Sequence, residues 1–116
     1  MPVAKGDYLG EFEQLVLWAL VRLRENAYGM TIRRELEERT RRVVSIGSVY
    51  ATLDRLEEKG YVRSRPGEAT PERGGRARRY FALTATGAAA LSAARTTLTG
   101  LWRRQVPHGV VKAVPA

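Results

Sequence analysis

The side chains with the clearest chemical capacity are arginines clustered between residues 61 and 80. The only acidic residues in that stretch are Glu68 and Glu72, against six arginines: Arg63, Arg65, Arg73, Arg76, Arg78 and Arg79. A guanidinium donates two parallel hydrogen bonds to a phosphate, so arginine suits forked phosphate contacts better than lysine does. Gly74-Gly75 would let the backbone approach such a ligand closely. We expect Arg73 and Arg76 to contact a nucleic-acid backbone or minor groove; a solvated, mobile hairpin is the alternative.

A second group of candidate contacts lies between residues 45 and 55. Small and hydroxyl-bearing side chains predominate there: Ser45, Gly47, Ser48, Ala51 and Thr52. Small side chains permit close approach to base edges, and hydroxyls together with the N–H groups of a helix N-terminus suit phosphate oxygens. Tyr50 could contact a phosphate or a thymine methyl, and Arg55 a guanine or a phosphate. Asp54 and Glu58 would repel phosphate, so we expect them to point away from it.

The sequence offers little for catalysis or metal binding. It has no cysteine, and His108 is its single histidine. Disulfides, thiolate metal sites and Cys nucleophiles are therefore excluded, and most zinc sites with three protein ligands are disfavoured. The Gly-Gly pair lacks the rest of a phosphate-binding P-loop. We expect no enzyme activity, no metal and no cofactor.

Charge is distributed unevenly along the 116 residues. Residues 41–83 hold 10 Lys/Arg against 5 Asp/Glu, and residues 84–116 hold 4 against none, within a net charge of +8. Such an excess favours a polyanionic partner, nucleic acid before an anionic membrane surface. There is no apolar run of about 18 residues and no secretory signal, so we expect a cytoplasmic protein without a membrane partner.

Apolar spacing of three and four positions predicts three helices, at Asp7–Asn26, Met30–Arg39 and Ile46–Lys59. Asp7 and Ser45 are suitable N-caps, and Asn26 could end the first helix in the left-handed conformation. In the third helix, Val49, Leu53 and Leu56 would face the core.

A hairpin should follow, with strands at Tyr61–Arg65 and Ala77–Leu83. Alternation along the second strand turns Arg78 and Arg79 to opposite faces, so one of them could form a structural ion pair. The order helix, helix, helix, hairpin, helix is that of a winged helix-turn-helix, a mainly α fold with a small β-hairpin. We assign residues 7–83 to this DNA-binding domain, with the third helix in the major groove.

Residues 84–104 should form a last helix, capped by Thr84 or Thr86, and residues 105–116 a loose tail. A heptad-like apolar seam runs along this helix, with an indole beside it: Leu91, Ala94, Leu98, Leu101 and Trp102. We expect this seam to pair with a second subunit, which gives a two-fold dimer on a pseudo-palindromic site. The alternative is a helix folded back on its own core.

The chain resembles the PadR family of bacterial transcription regulators over about residues 8–102. The most specific motifs are SIGSVYATLDRLEEKGY at residues 45–61 and GGRARRYFALTATG at residues 74–87. The resemblance implies a winged helix-turn-helix, a C-terminal dimerisation helix as in the subgroup with one such helix, and repression through operator binding. It also implies DNA contacts by Ser48, Tyr50, Thr52, Arg76 and Arg78.

Some members of that family bind aromatic or hydrophobic effectors near the dimer interface, which would implicate Trp18 and Trp102. Packing of both indoles in the core or an interface is the alternative. A competing function for the whole chain is a winged-helix module for protein–protein contact without sequence-specific DNA binding. Such a module would not need six arginines on its hairpin.

Overall fold

The computed structural model describes residues 8–69 and 77–105. Four helices and one hairpin follow each other in the expected order, with a short 3-10 turn at Arg24–Asn26 after the first helix. The elements are α1 (Glu11–Leu23), α2 (Gly29–Thr40), α3 (Ile46–Glu58), β1 (Val62–Ala69), β2 (Ala77–Leu83) and α4 (Ala85–Gln105). We call the hairpin of β1, β2 and their connection the wing.

The ends of α1 differ from the sequence prediction. The helix begins at Glu11 because the Glu13 carboxylate accepts a 2.8 Å hydrogen bond from the Gly10 backbone N–H. The expected cap, Asp7, lies outside the described residues. At the other end the positive φ falls on Arg24, at 54°, and not on Asn26, which belongs to the 3-10 turn. A side-chain cap and a local turn therefore shorten the helix at both ends.

The two helices of the helix-turn-helix are capped by hydroxyls. At the start of α2, the Thr31 hydroxyl accepts a 3.0 Å hydrogen bond from the Tyr28 N–H. Ser45 caps α3 as predicted, because its Oγ accepts the Ser48 N–H at 3.0 Å. Gly60, at φ 80°, follows α3 in the left-handed conformation that glycine adopts without strain. Local chemistry thus confirms both ends of α3 to within one residue.

The core lies where α1, α2, α3 and the base of the wing meet. The predicted inner side chains of α3, Val49, Leu53 and Leu56, are fully buried. They pack with apolar side chains of the other elements: Val16, Leu17, Leu20, Ile32, Leu36, Val62 and Phe81. Burial of this stripe fixes the rotation of α3 about its own axis, and with it the residues that face outward.

The wing is a two-stranded antiparallel sheet in which Ser64 pairs with Phe81 and Pro66 with Arg79. Its first strand does not stop at Arg65 but continues to Ala69, with an irregularity in register between Pro66 and Ala69. Proline is compatible with an edge strand because it needs no ladder hydrogen bond there. Residues 70–76, which include Arg73 and Arg76, lie outside the described residues.

The last helix joins the domain through a capped, tightly packed first turn. Thr84 is the cap, since its Oγ accepts the Gly87 N–H at 3.0 Å and donates to the Gly60 carbonyl at 2.7 Å. A Cβ at Gly87 would overlap the Tyr61 carbonyl oxygen, so only glycine allows this approach. Along the described part of the chain, no helix is both long and apolar enough to cross a membrane.

Truncation of Leu53, at the centre of the buried α3 stripe, should make the protein easier to unfold. Leu53→Ala removes a fully buried side chain and should lower the free energy of unfolding by about 2–5 kcal/mol. Val43→Ala is the matched control, because Val43 is 97% exposed and its loss should cost less than about 0.5 kcal/mol. Urea unfolding followed by circular dichroism measures both. Equal effects of the two variants would contradict the assigned core.

Candidate nucleic-acid interface

The outward face of α3 agrees with the sequence prediction except at Thr52. The exposed residues of α3 are Gly47, Ser48, Tyr50, Ala51, Asp54, Arg55 and Glu58, and its N-cap Ser45 is exposed as well. At its N-terminus Ser45 Oγ donates a 2.8 Å hydrogen bond to Ser48 Oγ, so the two hydroxyls form one small polar unit in the first turn of the helix. The first two turns therefore combine low steric bulk with hydrogen-bonding capacity, as contact with base edges and phosphates requires.

Tyr50 bridges the two helices of the motif. Its ring lies against Gly29 at the start of α2, where any Cβ would overlap the ring. The side chain nevertheless remains partly accessible, since Tyr50 is 40% exposed. Contact with Gly29 restricts the ring, so the phenol is presented at a defined position next to the outward face.

Thr52 does not lie where the sequence prediction places it. The residue is only 2% exposed, so direct contact between its side chain and DNA does not fit its position. Its hydroxyl instead accepts a 3.2 Å hydrogen bond from Arg55 Nη2. Arg55 itself is accessible, and its Nε lies 3.8 Å from the Glu13 carboxylate. Thr52 therefore orients an exposed arginine on the outward face.

Glu13 is a largely buried carboxylate that joins α1 to α3. Its Oε2 accepts a 3.0 Å hydrogen bond from the Lys59 ammonium, and its Oε1 accepts the hydrogen bond from the Gly10 N–H. Burial alone would raise the pKa of this carboxyl, but the Gly10 N–H, the Lys59 ammonium and the Arg55 guanidinium outweigh it and hold the pKa below its usual value. The group therefore stays charged and holds two basic side chains, Arg55 of α3 and Lys59, which follows α3 directly.

The wing arginines divide between solvent and internal contacts. Arg63 and Arg65 are exposed, and Arg65 lies 4.9 Å from the Tyr80 ring centroid. Arg78 is half-buried over the Tyr28 ring, at 4.3 Å from its centroid. Its neighbour Arg79 makes ion pairs, at 3.0 Å to Glu57 and 3.9 Å to Asp54.

This ion pair also locates Asp54, which we expected to point away from phosphate. Its carboxylate lies beside the Arg79 guanidinium at the base of the wing and remains largely accessible to solvent. Arg79 partly neutralises the acidic charge next to the outward face of α3.

Two tyrosines connect the wing to the turn before α2. The Tyr28 and Tyr80 rings meet edge to face with centroids 5.4 Å apart. Their backbones form an isolated β-bridge, and the Ala27 carbonyl oxygen accepts a 2.9 Å hydrogen bond from the Phe81 N–H. Sequence reasoning missed Tyr28, because a single tyrosine in a turn gives no periodic signal.

The apolar seam of α4 is divided between two environments. Leu91 packs partly against the core, whereas Leu98 and Trp102 are each 59% exposed and Leu101 is 46% exposed. An open, mainly apolar groove of about 520 Å³ runs between the N-terminal end of α1 and α4, and Ala94 and Leu98 line it. The second half of α4 therefore carries apolar surface that its own domain leaves uncovered.

The two tryptophans named as effector ligands lie in different surroundings. Trp18 packs against the core, with the Arg22 guanidinium 5.7 Å above its ring. Trp102 lies exposed near the end of α4. The groove between α1 and α4 is lined by other residues, so effector binding by these indoles stays a prediction.

The helix-turn-helix, the adjoining wing and the capped α3 together define a winged-helix protein of the DNA-binding class. Sequence comparison specifies the family: the chain belongs to the PadR-like family of transcriptional regulators, whose family model matches residues 16–93. It is thus a regulator and not an enzyme, and its fold is one that supports DNA binding. No curated protein gives a significant match.

Solved structures share the fold. A PadR family transcription regulator from Clostridium difficile R20291 is 23% identical, with a TM-score of 0.66 over 81% of this chain and 93% of that one. A Streptococcus transcriptional regulator is 25% identical, with a TM-score of 0.64 over 80% and 86%. The protein in a complex structure of hsRosR-S1 is 30% identical, with a TM-score of 0.61 over 81% and 77%.

Within residues 8–69 and 77–105, no three His, Cys, Asp or Glu side chains come together in a way that could hold a metal ion.

Two acidic side chains connect elements of the fold. Glu13 and Glu57 each tie α3 to a neighbouring element, and sequence reasoning assigned neither. A helical wheel places both beside the apolar stripes, but their partners are distant in sequence and become visible only in the fold.

Neutralising Glu13 should destabilise the protein in a pH-dependent manner. Because the folded-state pKa lies below the ordinary 4.5, the stabilisation is fully present above that value and is lost as the pH falls through the lower, folded-state pKa. The deficit of Glu13→Gln against wild type, measured by urea unfolding, should therefore be largest at neutral pH and shrink in acid. Glu38→Gln, at an exposed position of α2, should change stability little at neutral pH. A deficit that stayed constant across the series would contradict this assignment.

Proposed function

We propose that the protein is a cytoplasmic, homodimeric repressor that binds a pseudo-palindromic operator in double-stranded DNA. The observation that carries the proposal is the exposed N-terminal half of α3, small and hydroxyl-bearing, directly beside an arginine-rich wing. The helix would read base edges in the major groove while the wing contacts the adjacent backbone. Both contacts are needed, because base contacts specify a sequence and phosphate contacts supply most of the affinity.

The proposed contacts follow from position and charge where the structure describes the residue, and from charge alone for Arg73 and Arg76. Ser45 and Ser48 would bond phosphates or base edges at the start of α3, with Tyr50 beside them. Arg55 extends from the same face and is held by Thr52 and Glu13, so less side-chain entropy is lost when it binds. Arg73, Arg76 and Arg78 of the wing would add phosphate contacts.

A dimer would cover the uncovered part of α4. Leu98, Leu101 and Trp102 are all exposed, and a second copy of the helix could bury them together with the groove next to α1. Two-fold symmetry would then present two α3 helices about one turn of DNA apart, which matches a site with two half-sites. A protein–protein module without DNA binding remains the competing function, and salt dependence separates the two.

Ser48→Ala and Arg76→Ala should affect DNA binding differently. Loss of the Ser48 hydroxyl should change the preference among duplex sequences, by about 1 kcal/mol, and leave the salt slope unchanged. Loss of Arg76 should weaken binding to all sequences and reduce the slope of log affinity against log salt by about 1. Fluorescence anisotropy with selected and scrambled duplexes at several salt concentrations measures both effects. Binding that is insensitive to salt, or equal on both duplexes, would favour the competing function.

Leu98→Glu should yield monomers. A carboxylate at this position would have to be buried in the proposed interface, at a cost that the remaining contacts could not offset. Light scattering measures the mass, and Thr96→Glu, at another exposed position of α4, serves as the control. If the Leu98→Glu variant kept a dimer mass, the α4 interface would be wrong.

A further inference from the structure

The base of the wing is held along both of its edges at one cross-strand pair. Ser64 pairs with Phe81, and their N–H groups point in opposite directions, away from each other. The Phe81 N–H donates to the Ala27 carbonyl at 2.9 Å, and the Ser64 N–H donates to Glu57 Oε2 at 3.3 Å. This is the geometry of a non-hydrogen-bonded pair in an antiparallel ladder. One edge is thus held by the turn before α2, and the other by α3.

A single carboxylate on α3 contacts both strands of the wing. Glu57 Oε2 accepts a 2.8 Å hydrogen bond from Ser64 Oγ on β1. Glu57 Oε1 accepts a 3.0 Å hydrogen bond from Arg79 Nη2 on β2. Arg79 Nη2 also donates to Ser64 Oγ at 3.0 Å, which closes a three-residue network. Solvent weakens each ionic contact of this partly exposed network, but its hydrogen bonds to both strands together define the position of the wing base relative to α3.

The network of Glu57, Ser64 and Arg79 lies between the buried core and the part of the wing that extends into solvent. The Arg79 guanidinium lies 5.1 Å from the ring centroid of Phe81, a core residue that is 3% exposed. From Ser64 the first strand continues to Ala69, a length of about 16 Å at the usual rise per residue. A rotation of the base by about 15° would therefore displace the far end by about 4 Å, which is enough to lose a phosphate contact.

We propose that Glu57 is a positioning residue that sets the angle between α3 and the wing, so that both can contact one DNA site at the same time. It acts through Ser64 and Arg79 and does not itself contact DNA. This role rests on the function proposed above. In it, Glu57 contributes to sequence-specific affinity because it holds the contact surfaces of α3 and the wing at a fixed angle. Arg79, in turn, is withdrawn from phosphate contact by its pairing with Glu57.

The test compares Glu57→Gln with Glu58→Gln. Both changes remove one negative charge from adjacent positions of α3, and Glu58 is exposed. Electrostatics alone predicts that either change strengthens DNA binding, because a repulsive carboxylate is lost. Loss of the positioning contact predicts the opposite for Glu57→Gln: about tenfold weaker binding to a duplex that the wild type selects from a random pool. Its affinity for scrambled duplex should fall less, because binding without a specific register does not require α3 and the wing to be held at one angle.

Hydroxyl-radical footprinting on the selected duplex supplies a readout that general loss of stability would not move. In Glu57→Gln, protection next to the major-groove contacts of α3 should persist while protection by the wing is lost or shifted. Glu58→Gln should keep both protected regions. Thermal unfolding of each variant establishes that it is folded at the assay temperature.

Ser64→Ala provides an independent variant in case Glu57→Gln does not fold. It removes only the hydroxyl link and should weaken binding to the selected duplex about threefold, with the same loss of wing protection. If Glu57→Gln and Ser64→Ala bound as tightly as Glu58→Gln, with unchanged footprints, the positioning role would be overturned while the proposed function stood. If the wild type selected no duplex, the proposed function would fail, and this proposal with it.

Discussion

Burial of the α3 stripe is the constraint on which the rest of the structure depends. Val49, Leu53 and Leu56 are completely removed from solvent, so α3 has one rotational setting about its axis. Because successive residues of a helix are about 100° apart, that setting also decides where every other side chain of α3 points. It directs Ser48 and Ala51 outward, Thr52 inward, and Glu57 toward the wing.

Around this apolar core, carboxylates add ionic contacts between the elements. Glu13 joins α1 to Lys59, and Glu57 joins α3 to both strands of the wing. The Glu35 carboxylate pairs with the Arg39 guanidinium within α2, at 3.0 Å, and with the Arg22 guanidinium of α1, at 3.6 Å. Because these acids are engaged with internal partners, the excess of positive charge in the chain is left for the outer surfaces. The distribution suits a protein that must approach a polyanion.

Aromatic contacts connect the wing to the side opposite α3. Tyr28 and Tyr80 meet edge to face, and Arg78 and Arg65 lie over their rings. Such contacts retain apolar burial while leaving part of each guanidinium able to face solvent. The wing is therefore held between an ionic network on one edge and an aromatic cluster on the other, which makes the position of its base a property of the whole domain.

Local patterns in the sequence were sufficient to predict the order of the elements, the cap and inner stripe of α3, and the exposed face that follows from them. Those features depend on side chains within a few positions of each other, where helical spacing and capping chemistry act directly. The start of α1 and the continuation of β1 to Ala69 were not predicted correctly, because a side-chain cap and a ladder register each depend on particular partners.

The roles of individual side chains were decided by tertiary structure alone. Thr52 is small and carries a hydroxyl, as expected of a contact residue. Packing of α3 against its neighbours nevertheless turns it inward, where it orients Arg55. The partner of Arg79 was likewise open in the sequence, and in the fold it is a carboxylate 22 positions away. Hydrophobic periodicity records which face of an element is buried. It holds no information about which distant group will meet a given polar side chain, because that meeting requires the chain to be folded.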